Sequence, residues 1–356
     1  MSSNLQRFYY DIDNKKYINL IGTKVSERGY LLRDKSILYV ALDNVTALNM
    51  SKQLNSLGNN CGILTAPLDD VVYAEMNAFE IMHTMSRVVS GEYKSLAVSY
   101  NVLMQKIPSP SLIKESIYTI NKGMQINLSG FVKKLILLGF ERKSMLENNG
   151  DFTVKGDIVD IYLMDKAVRV DVGFDNVESI SIIDPITLRN NKQIDTLAIY
   201  PLTMFLKEPN SYFNLPLTKY IDSNVTDFFD IIVIDEPNLI VKRLGELYEA
   251  SIQNINSQIK NNLATKEHLN WYERDWFHFS GKSVIGICNI GGNNLFKPND
   301  VISIDTIAIN NYTYNQKLLV EDLKYYISLD YDIKLFLGNE SRCDQFKKYI
   351  SSELKC

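Results

Sequence analysis

Short apolar runs alternate with amphipathic stretches through the first hundred residues, and that rhythm leaves few folds open. SILYVALD (36–43), CGILTAP (61–67) and SLAVSY (95–100) are each bounded like a buried strand. Between them, NVTALNMSKQLNSLG places Ala47, Met50 and Leu54 at helical spacing, and MNAFEIMHTMSRVVSGE does the same with Phe79, Met82, Met85 and Val89. Strand and helix in turn predict βαβ units around a parallel sheet, an α/β fold. The rhythm returns late in the chain. TLAIYP, DFFDIIVIDEP, SVIGICNI and DIKLFLG read as strands, with helices over about 237–260, 315–329 and 339–355.

The middle of the chain breaks this pattern. QKIPSPSL (105–112) sets two prolines among serines and reads as a linker. Beyond it, ESIYTINKG suggests a strand, and LSGFVKKLILLGF a helix with Ser129 as N-cap and Gly139 at its end. From 151 to about 183, three strand-like runs separated by MDK and DN predict an antiparallel meander that the helix covers on one face. We therefore expect an α+β module, residues 111–198, inserted into an α/β domain formed by 1–110 and 199–356. At 356 residues, 46% hydrophobic and 22% charged, the chain holds more than one core's worth of sequence.

Charge and cysteine content narrow the function classes. A formal net charge of -4 gives no global basic field for nucleic acid, so any DNA contact is local. Cys61, Cys288, Cys343 and Cys356 form no CxxC pair, which argues against zinc and against a disulfide framework and fits a reducing compartment. No run approaches ~18 apolar residues and the start lacks a signal-peptide core, so a soluble, cytoplasmic protein with no membrane partner is expected.

A parallel sheet invites a search for phosphate loops at strand ends. A P-loop needs GxxxxGK[ST], with glycines that let backbone N–H groups wrap the phosphates. In NLIGTKVSERG (19–29), Gly22, Thr23 and Lys24 sit where such a loop would precede a helix. With Lys24 as the phosphate lysine, however, Ile18, Thr23 and Val25 replace the two glycines and the hydroxyl. SGKS (280–283) also fails, since Trp276 stands at the first glycine and VIGICNI after it is strand-like. IIVIDEP resembles a Walker B strand delivering Asp235 and Glu236, but without a competent loop these acids have no triphosphate to serve. They are expected to be solvated or to cap the next helix. His83, His268 and His278 lack metal spacing, no GxSxG elbow occurs, and the aromatics of WYERDWFHFSG (271–281) anchor a loop on a core more readily than they stack bases. No cofactor and no catalytic residue are expected.

FTVKGDIVDIY (152–162) is the remaining puzzle. Phe152 and Val154 share a face, yet the apolar phase slips by one between Ile158 and Val159, as a β-bulge near Gly156 would cause. In the next run Val168, Val170 and Val172 point one way, and Arg169 and Asp171 the other. Lys155 and Arg169 thus share an exposed face with Phe174 nearby, either a small protein-binding surface or an ordinary solvated sheet.

The stretch LGFERKSMLENNGDFTVKGDIVDIYLMDKAVRVDVGFDNVESISIIDPITLRN (138–190) resembles a pattern shared by the excision-repair subunit UvrB and the bacterial transcription-repair coupling factors. Its frame is a G-[YF]-x-R start, a G-x-F-x-x-[RK]-G strand, an R-[VIL]-[DE] strand and a closing D-P-x-T-x-R. YNVLMQKIPSPSLI and NYTYNQKLLVEDLKYYISLDYDIKLFLGNESRCDQFKKYI extend the likeness along the chain. Loss of the phosphate loop favours the coupling factors, whose UvrB-like module has lost it too. The resemblance implies a degenerate P-loop, RecA-like parallel-sheet domain carrying an α+β insert that binds UvrA. The segment itself would hydrolyse no nucleotide; RNA polymerase and duplex DNA would be engaged by downstream domains that include an ATP-dependent translocase. The alternative is a UvrB-like, ATP-dependent DNA-handling module. In the family two arginines and a phenylalanine make the contact. By position these fall on Lys155, Arg169 and Gly173, with Phe174 adjacent.

Overall fold

A computed structural model describes residues 3–65, 74–164, 166–204, 221–289, 292–304, 310, 312, 315–331, 333–335, 337 and 340–354. Its larger body is a parallel sheet of β1 (Tyr17–Ile21), β2 (Leu38–Ala41), β3 (Cys61–Leu64), β4 (Ser95–Ser99), β13 (Ile231–Asp235), β14 (Ser283–Ile287) and β15 (Asp300–Ser303). The strand order is β15-β1-β14-β13-β2-β4-β3, with every pairing parallel. Helices α1 (Ser3–Asp13), α2 (Val25–Leu32), α3 (Asn44–Ser56), α4 (Ala74–Val89), α5 (Pro110–Ser116) and α7 (Pro237–Lys260) pack around it.

Strand alternation divides this body into two cores. Leu38, Val40, Leu96, Val98, Ile232 and Ile234 face one side, against α4 and α7, while Tyr39, Ala41, Ala97 and Val233 face the other, against α1, α2 and α3. Burial on both faces explains why these strands read as continuous apolar runs. Helix α3 starts where the Asp43 carboxylate accepts the Thr46 N–H at 2.7 Å, and it buries Ala47, Met50, Ser51 and Leu54.

The insert leaves the body on β5 (Tyr118–Asn121) and returns on β12 (Thr196–Ile199), which pair antiparallel as a two-stranded neck. Beyond the neck lie α6 (Leu128–Leu137) and six strands, β6 (Glu141–Arg142), β7 (Asp151–Lys155), β8 (Ile158–Tyr162), β9 (Ala167–Gly173), β10 (Asn176–Ile183) and β11 (Asn190–Ile194), in sequential order across one sheet. Phe131, Leu135 and Leu138 of the α6 segment cover the face made by Phe152, Val159, Ile161, Val168 and Val170.

Four sequence expectations are corrected. FTVKGDIVDIY is not one bulged strand but a hairpin: Lys155 pairs with Ile158, and Gly156 and Asp157 form its two-residue turn. Gly156 takes φ +59, which suits a glycine-first turn and accounts for the phase slip, because the chain reverses there. The N-cap of α6 is Asn127, whose side chain accepts the Gly130 N–H at 2.7 Å, with Ser129 donating to the same oxygen. QKIPSPSL is packed rather than free: Lys106 N–H donates to the Trp271 carbonyl at 3.0 Å, Ile107 and Ser223 exchange backbone bonds, and α5 opens on Pro110. In DIKLFLG, Asp332, Phe336 and Gly338 lie outside the described residues, and the others carry no strand. Elements the sequence reading did not foresee include α1, α5, β6, β11 and β15.

The joint between body and insert is tight. Gly150, at φ +93, lies so close to Phe79 of α4 that a Cβ there would stand 2.4 Å from the ring. Leu202 donates its N–H to the Leu138 carbonyl at 2.7 Å, and Tyr200 donates its hydroxyl to Glu92.

Candidate functional site

Gly22, Thr23 and Lys24, read from sequence as a degenerate nucleotide loop, lie where β1 meets α2. Only Gly22, Thr23 and Lys24 separate strand from helix, too few to wrap a phosphate chain. Gly22, at φ +81, is set by packing, since a Cβ would stand 2.9 Å from the Ile304 carbonyl oxygen. Thr23 is buried, and Lys24 is exposed at the α2 N-terminus, its backbone N–H donating to Glu27 Oε2 at 3.1 Å.

Asp235 overturns its expectation. It is neither solvated nor a cap: it is 4% exposed and ion-paired at 2.9 Å with Nη1 of Arg28, itself 1% exposed. The same guanidinium reaches the Tyr39 hydroxyl at 3.4 Å and Asn289 Oδ1 at 3.2 Å. Burial pushes the Asp235 carboxyl above its ordinary value, with Arg28 pulling the other way. Burial pushes the Tyr39 phenol up as well. Glu236 does sit at the N-cap position of α7, at φ +52, but its carboxylate accepts the Asn289 N–H at 2.9 Å instead of capping the helix. An internal cation thus meets the Walker-B-like carboxylate at the end of its strand. Sequence reading missed Arg28, although a signal existed: it falls on the buried face of α2 with Leu31 and Leu32, three and four residues on.

The second candidate surface is the sheet face of the insert opposite α6. Register places Thr153, Asp160, Arg169 and Ser181 in one row across it, and Lys155, Ile158, Asp171 and Ser179 in the next. Lys155 and Arg169 are therefore on the same face, two strands and one row apart. Their states differ. Lys155 is exposed at the hairpin end, whereas Arg169 grips Asp160 through Nε at 2.7 Å and Nη2 at 2.9 Å. Asp160 is 2% exposed, so this fork neutralises a buried carboxylate, and the bonds hold the Arg169 guanidinium above its ordinary value. Asp160 was absent from the sequence-level candidates because its cross-strand partner follows only from the hairpin.

Gly173 and Phe174 end β9. The residue after Gly173 opens a tight turn in which Phe174 and Asp175 take φ +48 and +60, and the Phe174 side chain is 96% exposed. A left-handed backbone is uncommon for a bulky residue, so the ring is held outward at a cost of about 1 kcal/mol. Gly173 is covered by the Glu178 side chain: a Cβ at Gly173 would stand 2.3 Å from Glu178 Oε1. A phenylalanine ring at 173 would displace Glu178, and Phe174 is the aromatic that follows it in the chain.

The other chemistry considered from sequence resolves into packing. Trp271, Tyr272 and Phe277 are buried in the body, His278 pairs with Asp227 at 2.8 Å, and Lys282 of SGKS donates to the Thr226 carbonyl at 2.5 Å. Among the described residues no cluster of metal-ligating side chains occurs, and no helix is long and apolar enough to cross a membrane.

Comparison with known proteins agrees with the position of the insert. Residues 118–205 match the UvrB interaction domain family, from the first neck strand to just past the second. The transcription-repair-coupling factor of Borreliella burgdorferi is 24% identical over 214 residues, 56% of this chain and 19% of that protein. That of Staphylococcus haemolyticus is 24% identical over 263 residues, 72% of this chain and 20% of that protein. UvrABC system protein B of Thermosipho africanus is 28% identical over 144 residues, 38% of this chain and 22% of that protein. The matched segments span about a fifth of each relative's length. Residues 118–205 match the UvrB interaction domain, and the chain that carries them is similar to the UvrB-homology part of transcription-repair-coupling factors.

Proposed function

We propose that this chain is a docking module of nucleotide excision repair that binds UvrA through the open sheet face of its insert. The observation that carries the reading is the coincidence of the UvrB interaction domain with a sheet whose core face is covered by α6, with Lys155 exposed at the end of the β7–β8 hairpin and the Phe174 ring exposed at the β9–β10 turn. Exposed aromatics beside charged groups supply affinity and orientation in protein interfaces. In the setting named by its coupling-factor relatives, docking would bring UvrA to RNA polymerase stalled on DNA, in the cytoplasm. Calorimetric titration of the chain with UvrA tests this. Binding that weakens at least tenfold in Phe174→Ala supports it, and no heat of binding by the unaltered chain refutes it.

The segment acts without nucleotide and is not itself an enzyme on this reading. Support comes from the three-residue loop after β1 and from Arg28 lying against Asp235. Likeness to UvrABC system protein B keeps one alternative in play, an ATP-dependent DNA-handling module. A fluorescent ATP analogue separates the two: saturable, Mg²⁺-dependent binding favours the alternative.

A further inference from the structure

A cavity of about 290 Å³ lies at the joint of body and insert, between the C-terminal half of α4 and the base of the insert. Its apolar lining is firm. Phe140, Leu163, Leu197 and Leu202 are all buried side chains of the insert core. The charged lining comes from both bodies: Arg87 from α4, Glu92 from the segment that follows it, and Lys166 from the β8–β9 turn.

Glu92 is the single acid among these lining residues, and both of its oxygens are taken. The Tyr200 hydroxyl donates to Oε1 and Arg87 Nε to Oε2 at 2.8 Å. Burial, helped by the bond to Glu92, pushes the Tyr200 phenol up to about 12, so at neutral pH it stays the donor. Arg87 also lies over the Tyr93 ring at 4.5 Å, which sets the plane of its guanidinium. Its Nη groups have no partner among the described residues, and neither does the Lys166 ammonium. Two cations therefore face one spent carboxylate, above an apolar floor.

We propose that this crevice is a binding site for a small organic monoanion, a carboxylate carried on a single flat apolar ring. The carboxylate takes the free Nη edge of Arg87 and the Lys166 ammonium, and the ring rests on Leu163, Leu197 and Leu202. Bonds with charge on both partners are the strong kind, and they repay desolvation of the acid. The volume stands at the small end for a ligand pocket, which suits one ring and not a nucleotide, and joints between domains are where such pockets occur. Since Arg87 belongs to the body and Lys166 to the insert, a bound acid bridges the two and favours the closed joint by the difference in its affinity for closed and open forms. None of this depends on the UvrA reading.

The test is titration of the full 356-residue chain with sodium benzoate, followed by amide chemical shifts, with benzamide as the uncharged comparator. Saturable shifts centred on Arg87, Lys166 and Tyr200 are expected at millimolar benzoate, with benzamide about tenfold weaker. Lys166→Gln is expected to weaken benzoate about tenfold, and Lys166→Arg to restore it to within about threefold, with circular dichroism confirming the fold of each variant. Benzoate at saturation is expected to slow hydrogen exchange in the neck strands β5 and β12. No saturable shift at these three residues, equal binding of benzoate and benzamide, or benzoate binding unchanged by Lys166→Gln overturns the site. Unchanged exchange in the neck at saturation overturns the bridging.

Discussion

The Arg28–Asp235 pair makes a sharp energetic prediction. Asp235→Asn keeps the shape of the side chain and removes its charge, leaving a guanidinium that is 1% exposed with only Tyr39 at 3.4 Å, Asn289 at 3.2 Å and the new amide for company. Removing one partner of a buried pair costs about 3 to 5 kcal/mol. Because the Asn carbonyl still accepts one bond, the lower end, about 3 kcal/mol, is expected. Urea unfolding followed by tryptophan fluorescence is the assay, since Trp271 and Trp276 both belong to the core of this body. Replacing both partners, Arg28→Met with Asp235→Leu, is expected to cost under about 1 kcal/mol. The pH dependence has a definite sign. Burial already raises the folded-state pKa of Asp235, so the folded chain holds that proton more tightly than the unfolded chain. Folding is favoured by this group in acid, and the advantage is lost as pH rises through the folded value. Arg28→Met removes the opposing cation, so its destabilisation grows as pH rises above the ordinary carboxylate range, whereas that of Asp235→Asn shrinks over the same range, because the carboxyl loses its advantage there and the amide does not titrate. A single-variant cost below about 1 kcal/mol, or a double variant as damaged as the sum of the singles, refutes the reasoning.

The other predictions concern the insert and one helix cap. Phe174→Asn, which suits a left-handed turn position, raises stability by about 1 kcal/mol in urea unfolding while weakening UvrA binding, an opposition that a ring with no partner would not produce. Arg169→Glu sets two carboxylates together over a buried site and destabilises the insert by about 2 kcal/mol or more, visible as loss of amide protection in β8 and β9 by hydrogen exchange, so it reports on folding rather than on docking. Gly150→Ala drives a methyl into Phe79 from a left-handed backbone and costs about 2 to 3 kcal/mol by the same denaturation. The Asp43 carboxyl is held below its ordinary value by its bonds to Thr46, so its capping contribution is present above the unfolded carboxylate pKa and lost as pH falls through the folded one. Asp43→Ala removes about 1 kcal/mol at neutral pH and less in strong acid, by thermal melts at both.

The parallel sheet was legible because strands buried on both faces, such as Leu38–Ala41, announce themselves as apolar runs, and the helices between them keep a 3.6-residue period. The insert was harder. The β7–β8 turn is two residues long, so a reversal at Gly156 and Asp157 reads as a one-residue slip of phase, and one strand was counted where there are two. β15, of four residues and with one fully buried side chain, carries too little apolar signal to be seen. The site followed the same division. That Lys155 and Arg169 share a face follows from period-two alternation and survives the hairpin, because the β7–β8 and β8–β9 reversals each invert parity and the two inversions cancel. That Arg169 is tied to Asp160, and Asp235 to Arg28, depends on contacts between strands or between residues 207 apart, which no local pattern encodes.

The two-stranded neck bears on how the insert responds to mechanical load. β5 leads out of the body and β12 leads back beside it, so both chains connect body and insert at the same two ends. A pull on the insert away from the body stretches two covalent backbones in parallel and slides neither past the other. The inter-strand bonds lie across the load rather than along it, and tension alone does not unzip them. The yielding parts would be the lateral contacts of Phe79 with Gly150 and of Tyr200 with Glu92, which peel apart first. Under force, the insert would therefore be expected to tilt on its neck before it unfolds.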